Sequence, residues 1–520
     1  MDKGICNLGK GEHYRMQTRI HYVSAPAGSG KTYQLEQLAA KLATSENHKI
    51  LIAQPTRHLI RQTAANLRRA NPALAVKSIL SSSNGDAVTP RIEAHMANAG
   101  KGKGQVLLIS HEALKRLPPA HRAHWDLFVD EIPSVFECLA LKIVKTHAHL
   151  TDHIELEDLG RGISAVKISP GHRGAVEILL RNESKDELLE RFGPISNHLL
   201  DDSRTVMVET ACYQALLDGT KREGEINFFS ILGPEFVQDF NSVTLMGANA
   251  RETELFALWG IRRDIDFVPH PLLTKGLRYH EHQNGDRLTV HYLFEREWSI
   301  SRSQTENDDT GMTLLEEVGD YIQRFFAGQR FLWVANKSAD MMMFDRNDRL
   351  PAVSHGLNEP HFIACHAVAS TIALVHNHAS AKFLAMLGLT DSQIRTVICY
   401  QSEYQAIMRC SLRDPDAIAP VIIIVPSRAS AEWIAGKFAG AAVSKLSTGL
   451  DWEVGKVGRP KAVRAMTNAE RVRKHRAAKK GGGGLTTSER RVGRLSGRLN
   501  GEAGWPACYP HNNLPSSVGG

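Results

Sequence analysis

Ala25-Pro26-Ala27-Gly28-Ser29-Gly30-Lys31-Thr32 follows the short apolar run Ile20-His21-Tyr22-Val23 and opens a helical pattern that continues to about Leu42. Glycines at 28 and 30 let the backbone wrap closely, so that its N–H groups converge on an anion at a helix N-terminus. Lys31 is long enough to reach the outer phosphates, and the Thr32 hydroxyl is a ligand for Mg²⁺. Ala25 stands where this pattern usually begins with glycine, which leaves the cradle itself intact. A strand, this turn and a helix, in that order, predict a triphosphate site built from Ala27, Gly28, Ser29, Gly30, Lys31 and Thr32. Its expected cofactors are ATP and Mg²⁺.

The chain on either side fits an α/β fold. An apolar strand at residues 50–53 precedes a helical stretch around 59–69. Strands follow at 106–109 and at Leu127-Phe128-Val129, the latter running directly into Asp130-Glu131-Ile132-Pro133. Strands alternating with helices predict a parallel sheet covered on both faces. An acid at such a strand end completes the Mg²⁺ shell of a bound nucleotide, and its neighbour can orient or deprotonate the attacking water. Asp130 is therefore assigned to the metal and Glu131 to the water. Residues 134–240 mix short strands and helices (165–168, 176–180, 186–191) and read as an elaboration of the first domain. A second alternating series begins near 315, with strands expected at 331–334, 396–399 and 420–425 and a helix around 364–375.

Together, APAGSGKT and DEIP resemble the first and second motifs of the superfamily 2 DEAD/DEAH-like helicases, and the flavour is that of phage-type replication helicases. Gln54-Pro55-Thr56-Arg57 is similar to the motif that contacts the nucleic-acid backbone in that family, which implies that role for Pro55, Thr56 and Arg57. Leu108–Leu114 is similar to the motif that follows, and places His111 among the nucleic-acid contacts. Leu245–Ala250 sits where the family couples hydrolysis to movement, and Ser354–Glu359 resembles the fifth motif. Tyr404–Arg413 resembles the sixth, which supplies arginine fingers. Gln405 and Arg409 keep the family's separation, Met408 replaces a glycine, and Arg413 falls one residue late. The resemblance implies Lys31, Glu131, Gln405, Arg409 and Arg413 as the catalytic set. It also implies two RecA-like P-loop NTPase domains with parallel sheets, over residues 20–255 and 256–450, behind an extension at 1–19. Elementary chemistry agrees. Charge building on the γ-phosphate needs a cation that arrives from a facing domain only when the cleft closes, which links hydrolysis to motion.

The net charge of +7 is concentrated at one end. Residues 455–500 hold 14 lysines and arginines against Glu470 and Glu489, so residues 1–454 carry a net −4. Thr467-Asn468-Ala469-Glu470 and Thr486-Thr487-Ser488-Glu489 are capping boxes that open two basic helices joined by Gly481–Gly484. The tail, residues 451–520, is thus expected to be a flexible cationic arm for a polyanion, DNA more than RNA. Seven scattered cysteines, with no CxxC pair, point to a reducing cytoplasm and away from disulfides or a cysteine zinc site. The His147–His153 cluster and the tripeptide His376-Asn377-His378 lack the spacing of metal or nuclease motifs. Met1-Asp2-Lys3 precedes polar residues rather than an apolar leader, and residues 421–425 are too few for a membrane span. The leading expectation is an ATP-hydrolysing helicase or translocase. A terminase-like packaging ATPase and an ATP-switched DNA-binding protein without unwinding are the alternatives.

Overall fold

The computed structural model describes residues 18–81, 87–100, 103–142, 146–220, 224–262, 264–307, 309–336, 344–351, 359–374 and 376–450. The N-terminal extension up to residue 17, residues 354–358 of the fifth-motif segment, and the basic tail with both its capping boxes lie outside the described residues.

Among the described residues, the strands form three sheets of seven, five and five strands. In spatial order the first sheet runs Ile265–Pro269, Thr18–Ser24, Ser242–Gly247, Trp125–Asp130, Lys49–Gln54, Gln105–Ser110 and Val76–Ser78. All of its pairings are parallel. Ile50 to Ala53 and Val106 to Ile109 are fully buried, as strands covered on both faces must be. Alternate residues serve opposite layers. Ile50, Ile52, Val106 and Leu108 pack on Leu35, Ala39, Ile60 and Leu67 of the helices Lys31–Ser45 and Arg57–Ala70. Leu51, Ala53, Leu107 and Ile109 meet Ile92, Met96 and Trp125 on the other side. The sheet takes its last strand, Ile265–Pro269, from beyond residue 255.

The second all-parallel sheet runs Leu332–Val334, Ala367–Ser370, Val421–Ser427, Leu288–Phe294 and Ala442–Lys445. These two sheets are the RecA-like pair. Residues 134–240 build a sheet of their own, wholly antiparallel, in the order Phe136–Lys142, Glu225–Leu232, Arg204–Glu209, Ile163–Ile168 and Ile154–Gly160.

Two expectations in the second half are corrected. The helix anticipated around 364–375 is the strand Ala367–Ser370, all four residues buried, preceded by the single helical turn Pro360–Ile363. A short run of small and apolar residues has no polar face to show its period, so strand and buried helix read alike until neighbouring strands pair with it. The strand anticipated at 396–399 is the π-helical turn Thr396–Tyr400, set between the helical segments Asp391–Arg395 and Gln401–Ile407. Thr390 and Gln393 form a capping box that commits this segment to helix before its β-branched residues arrive.

Candidate active site

In the first sheet, the strands Thr18–Ser24 and Trp125–Asp130 are separated only by Ser242–Gly247, so the loop after one and the carboxylates after the other share a carboxyl-end crevice. Gly28 and Gly30 have φ of +85° and +88°, in the left-handed region that their lack of a Cβ permits. A Cβ on Gly28 would lie 2.6 Å from the Tyr279 hydroxyl and 3.2 Å from Arg413 Cγ, so the loop is closely covered from the second half of the chain.

Lys31 is buried and donates to the carbonyls of Ala25, at 3.1 Å, and Pro26, at 2.9 Å. Burial lowers its pKa, while the charges of Glu131 and Asp130 work in the opposite direction. Thr32 Oγ1 donates to Asp130 Oδ2 at 3.0 Å, and Gln54 Nε2 donates to the same oxygen at 3.0 Å. Asp130 Oδ1 is buried without a hydrogen-bond partner, as is Ser29 Oγ within the loop. Burial, and then the neighbouring Glu131 carboxylate, push Asp130 up to about 6. A buried carboxylate oxygen with an open lone pair, beside a threonine hydroxyl, fits a hard divalent cation. Thr32 and Asp130 would hold Mg²⁺ there. Glu131 has φ of +66°, a conformation that costs a non-glycine residue on the order of 1–2 kcal/mol, at the point where the strand turns into the crevice.

The second domain supplies the opposite wall. Arg409 is buried and bonded to the helix that precedes it, Nε donating to the Gln405 carbonyl at 3.0 Å and Nη2 to Gln405 Oε1 at 3.1 Å. Burial, then the charge of Arg413, lower Arg409 to about 9, while Glu131 acts against this. Burial also lowers Arg413, against the influence of Tyr279 and Glu131. Both arginines act electrostatically on Lys31. Residues nearly four hundred positions apart thus share one field.

The expected nucleic-acid contacts divide. Thr56 Oγ1 caps the helix Arg57–Ala70 by accepting from Leu59 N–H at 3.2 Å, and Arg57 is exposed and bonded to Ser81. His111 Nε2 lies 3.1 Å from the carbonyl of Asp130, which joins it to the carboxylate strand. In the coupling segment, Gly247 O accepts from Ala25 N–H at 3.4 Å, and Asn249 reaches Gln401 of the second domain at 3.5 Å.

Sequence reasoning missed Gln54, Tyr279, His282 and Tyr404. Ala27 N–H donates to the Tyr404 hydroxyl at 2.9 Å, and the Tyr279 hydroxyl donates to Ala27 O at 2.9 Å. Gln54 and Tyr404 open the two quoted motif stretches, but neither was given a role of its own. Nothing local marks Tyr279 or His282.

Residues 13–131 match the family model of the DEAD/DEAH box helicases. No curated protein matches the chain significantly. Among solved structures, S. tokodaii Xpd4 is similar at 12% identity and a TM-score of 0.40, covering 83% of this chain and 96% of its own. S. cerevisiae Dbp5 bound to RNA and ADP BeF3 is similar at 9% identity and a TM-score of 0.31, covering 84% and 87%. The DEAD-box helicase Mss116 bound to ssRNA and UDP-BeF is similar at 10% identity and a TM-score of 0.32, covering 85% and 73%.

Proposed function

Starting from the DEAD/DEAH box helicase domain that residues 13–131 carry, we propose that this chain is an ATP-hydrolysing motor that moves on or unwinds nucleic acid. DNA is its track, replication in the cytoplasm its setting. One observation carries the reading: the second half of the chain closes over the phosphate loop, with Tyr404 and Tyr279 bonded to the Ala27 peptide at 2.9 Å and Arg413 packed against Gly28. ATP bound with Mg²⁺ supplies the phosphoanhydride bond whose hydrolysis drives the motor. The N–H groups of residues 28–32 and the Lys31 ammonium bind and orient phosphate oxygens. Thr32 and Asp130 would hold the Mg²⁺. Glu131 takes the proton of the attacking water. Arg409 and Arg413 bring positive charge to the γ-phosphate side, and Gln405 keeps Arg409 aimed. Such a finger is worth about 10³–10⁵ in rate.

Pro55, Thr56, Arg57 and His111 face the strand being moved. Support comes from His111 and Gln54, each bonded to Asp130, so that a shift in either segment is felt at the metal-binding carboxylate. Among the described residues no helix is long and apolar enough to cross a membrane, and the described cysteines are free thiols.

Side-by-side ATPase assays with single-stranded DNA, duplex DNA and RNA test the reading. DNA is expected to stimulate most. A rate indifferent to all three overturns the motor, and stronger stimulation by RNA overturns the choice of DNA. Lys31→Ala is expected to abolish turnover. Glu131→Gln should retain ATP binding without cleavage, and normal turnover in that variant removes Glu131 as the base.

A further inference from the structure

We propose that Tyr404 is a positioning residue that registers the helix preceding Arg409 in the second domain against the phosphate loop by holding the Ala27 peptide. The kinetic part of this rests on the ATPase reading above; the docking part does not.

The two bonds to the Ala27 peptide have fixed directions. Ala27 N–H donates to Tyr404 Oη at 2.9 Å, so the phenol accepts from the loop. The same hydroxyl lies 2.8 Å from His282 Nε2. Burial holds His282 near 4, so its ring is neutral and shares a single hydrogen bond with the phenol, its direction set by the ring tautomer. At the other end of the same residue, Tyr279 Oη donates to the Ala27 carbonyl at 2.9 Å. His282, Tyr404, Ala27 and Tyr279 thus form one chain of bonds that crosses the cleft and grips residue 27 at both its N–H and its C=O.

Packing alone does not call for the hydroxyl. The Tyr404 ring is fully buried, edge-on to Trp433 at 6.2 Å and near Phe438 at 6.4 Å, contacts a phenylalanine would keep. The buried phenol finds a partner within its own half of the chain in His282, which stacks on Phe438 at 4.1 Å. The bond to Ala27 is the one that reaches across to the loop. Tyr404 lies on the helix Gln401–Ile407, which also carries Gln405, the residue that holds Arg409. Loop, helix and guanidinium are therefore one connected body while the Tyr404–Ala27 bond stands.

The test is Tyr404→Phe in the full-length chain. The expected result is a fall in ATPase kcat of roughly 10- to 100-fold, the scale of a small misplacement of a catalytic group, with affinity for a fluorescent ADP analogue within about twofold of wild type. Combining it with Arg409→Ala is expected to add little to the Arg409→Ala loss, because both act on one interaction. Amide hydrogen exchange without nucleotide should be faster at Ala27 in the variant. Tyr279→Phe, on the more exposed side, is the second variant and should lower kcat in the same direction by less. Wild-type kcat together with unchanged exchange at Ala27 in Tyr404→Phe overturns the proposal. If the wild-type chain hydrolyses no ATP, the motor reading falls, and exchange at Ala27 still decides the docking: faster supports it, unchanged overturns it.

Discussion

At the scale of single residues, the site depends on conformations and charges that side chains ordinarily avoid. Gly28 occupies φ of +85° with the Tyr279 hydroxyl and Arg413 immediately over it. Gly28→Ala meets both a backbone penalty of about 1–2 kcal/mol and a collision, so the loop must shift. ATPase activity is expected to fall roughly a hundredfold while the circular dichroism spectrum stays that of the wild type. An active Gly28→Ala enzyme would show that the loop's present shape does not matter for turnover. Asp130 presents a comparable case. One of its oxygens is satisfied by Thr32 and Gln54, and the other is buried without a partner. That is an unfavourable arrangement for a structural carboxylate and a useful one for a metal ligand.

At the scale of elements, the segment leaving the carboxylate pair is held by a buried acid that lies beside the second domain. Glu254 begins the helix Glu254–Trp259. It accepts from Ser134 Oγ at 3.0 Å and Phe136 N–H at 3.2 Å, and its other oxygen lies 3.6 Å from His376 Nε2. Burial pushes Glu254 from about 4.5 up to about 7, and Lys115 is the cation acting against that rise. Folding therefore favours the protonated acid. Its contribution is complete below about pH 4.5 and is lost as pH rises through about 7. His376, lowered to about 4 by burial, stays neutral across that window. Glu254→Gln keeps the shape and cannot ionise. The variant is expected to exceed wild type by about 1–3 kcal/mol at pH 8 and to match it at about pH 4, below the unfolded pKa, read from denaturation midpoints. A difference that does not change with pH would exclude ionisation of Glu254 as its cause.

At the scale of the whole molecule, the inserted antiparallel sheet touches the second domain as well as the first. Phe229 of the insert stacks on Phe383 with ring centroids 4.0 Å apart, and Phe136 stacks on Phe383 at 6.1 Å. Phe383, Leu384 and Leu387 belong to the same apolar cluster as the first sheet's Leu127 and Val129. Phe383→Ala is expected to cost about 3–5 kcal/mol of unfolding free energy, the usual cost of removing a buried aromatic ring. Lys382 pairs with Glu209 beside this contact but is half exposed, so Lys382→Ala should cost less than about 1 kcal/mol. Equal losses in the two variants would mean that the aromatic stack does not hold the insert to the second domain.

Amino-acid order alone carried the parallel architecture of the first half, because strands buried on both faces leave continuous apolar runs and a glycine turn before a lysine has few other uses. It also singled out Asp130, Glu131, Arg409 and Arg413 as candidates, since each stands in a short motif whose spacing is local. The segments at 364–375 and 396–399 were misread because apolar periodicity over so few residues does not distinguish a strand from a buried helical turn until a neighbour pairs with it. The antiparallel insert was legible only as an irregular region, because its pairings join distant strands with no parallel-sheet rhythm. Tyr279, His282 and Tyr404 acquired their meaning from tertiary structure alone. A phenol's role is set by the peptide its hydroxyl meets, and here that peptide belongs to a residue 377 positions away from Tyr404. Only the folding of two sheets against each other could bring them within a hydrogen bond.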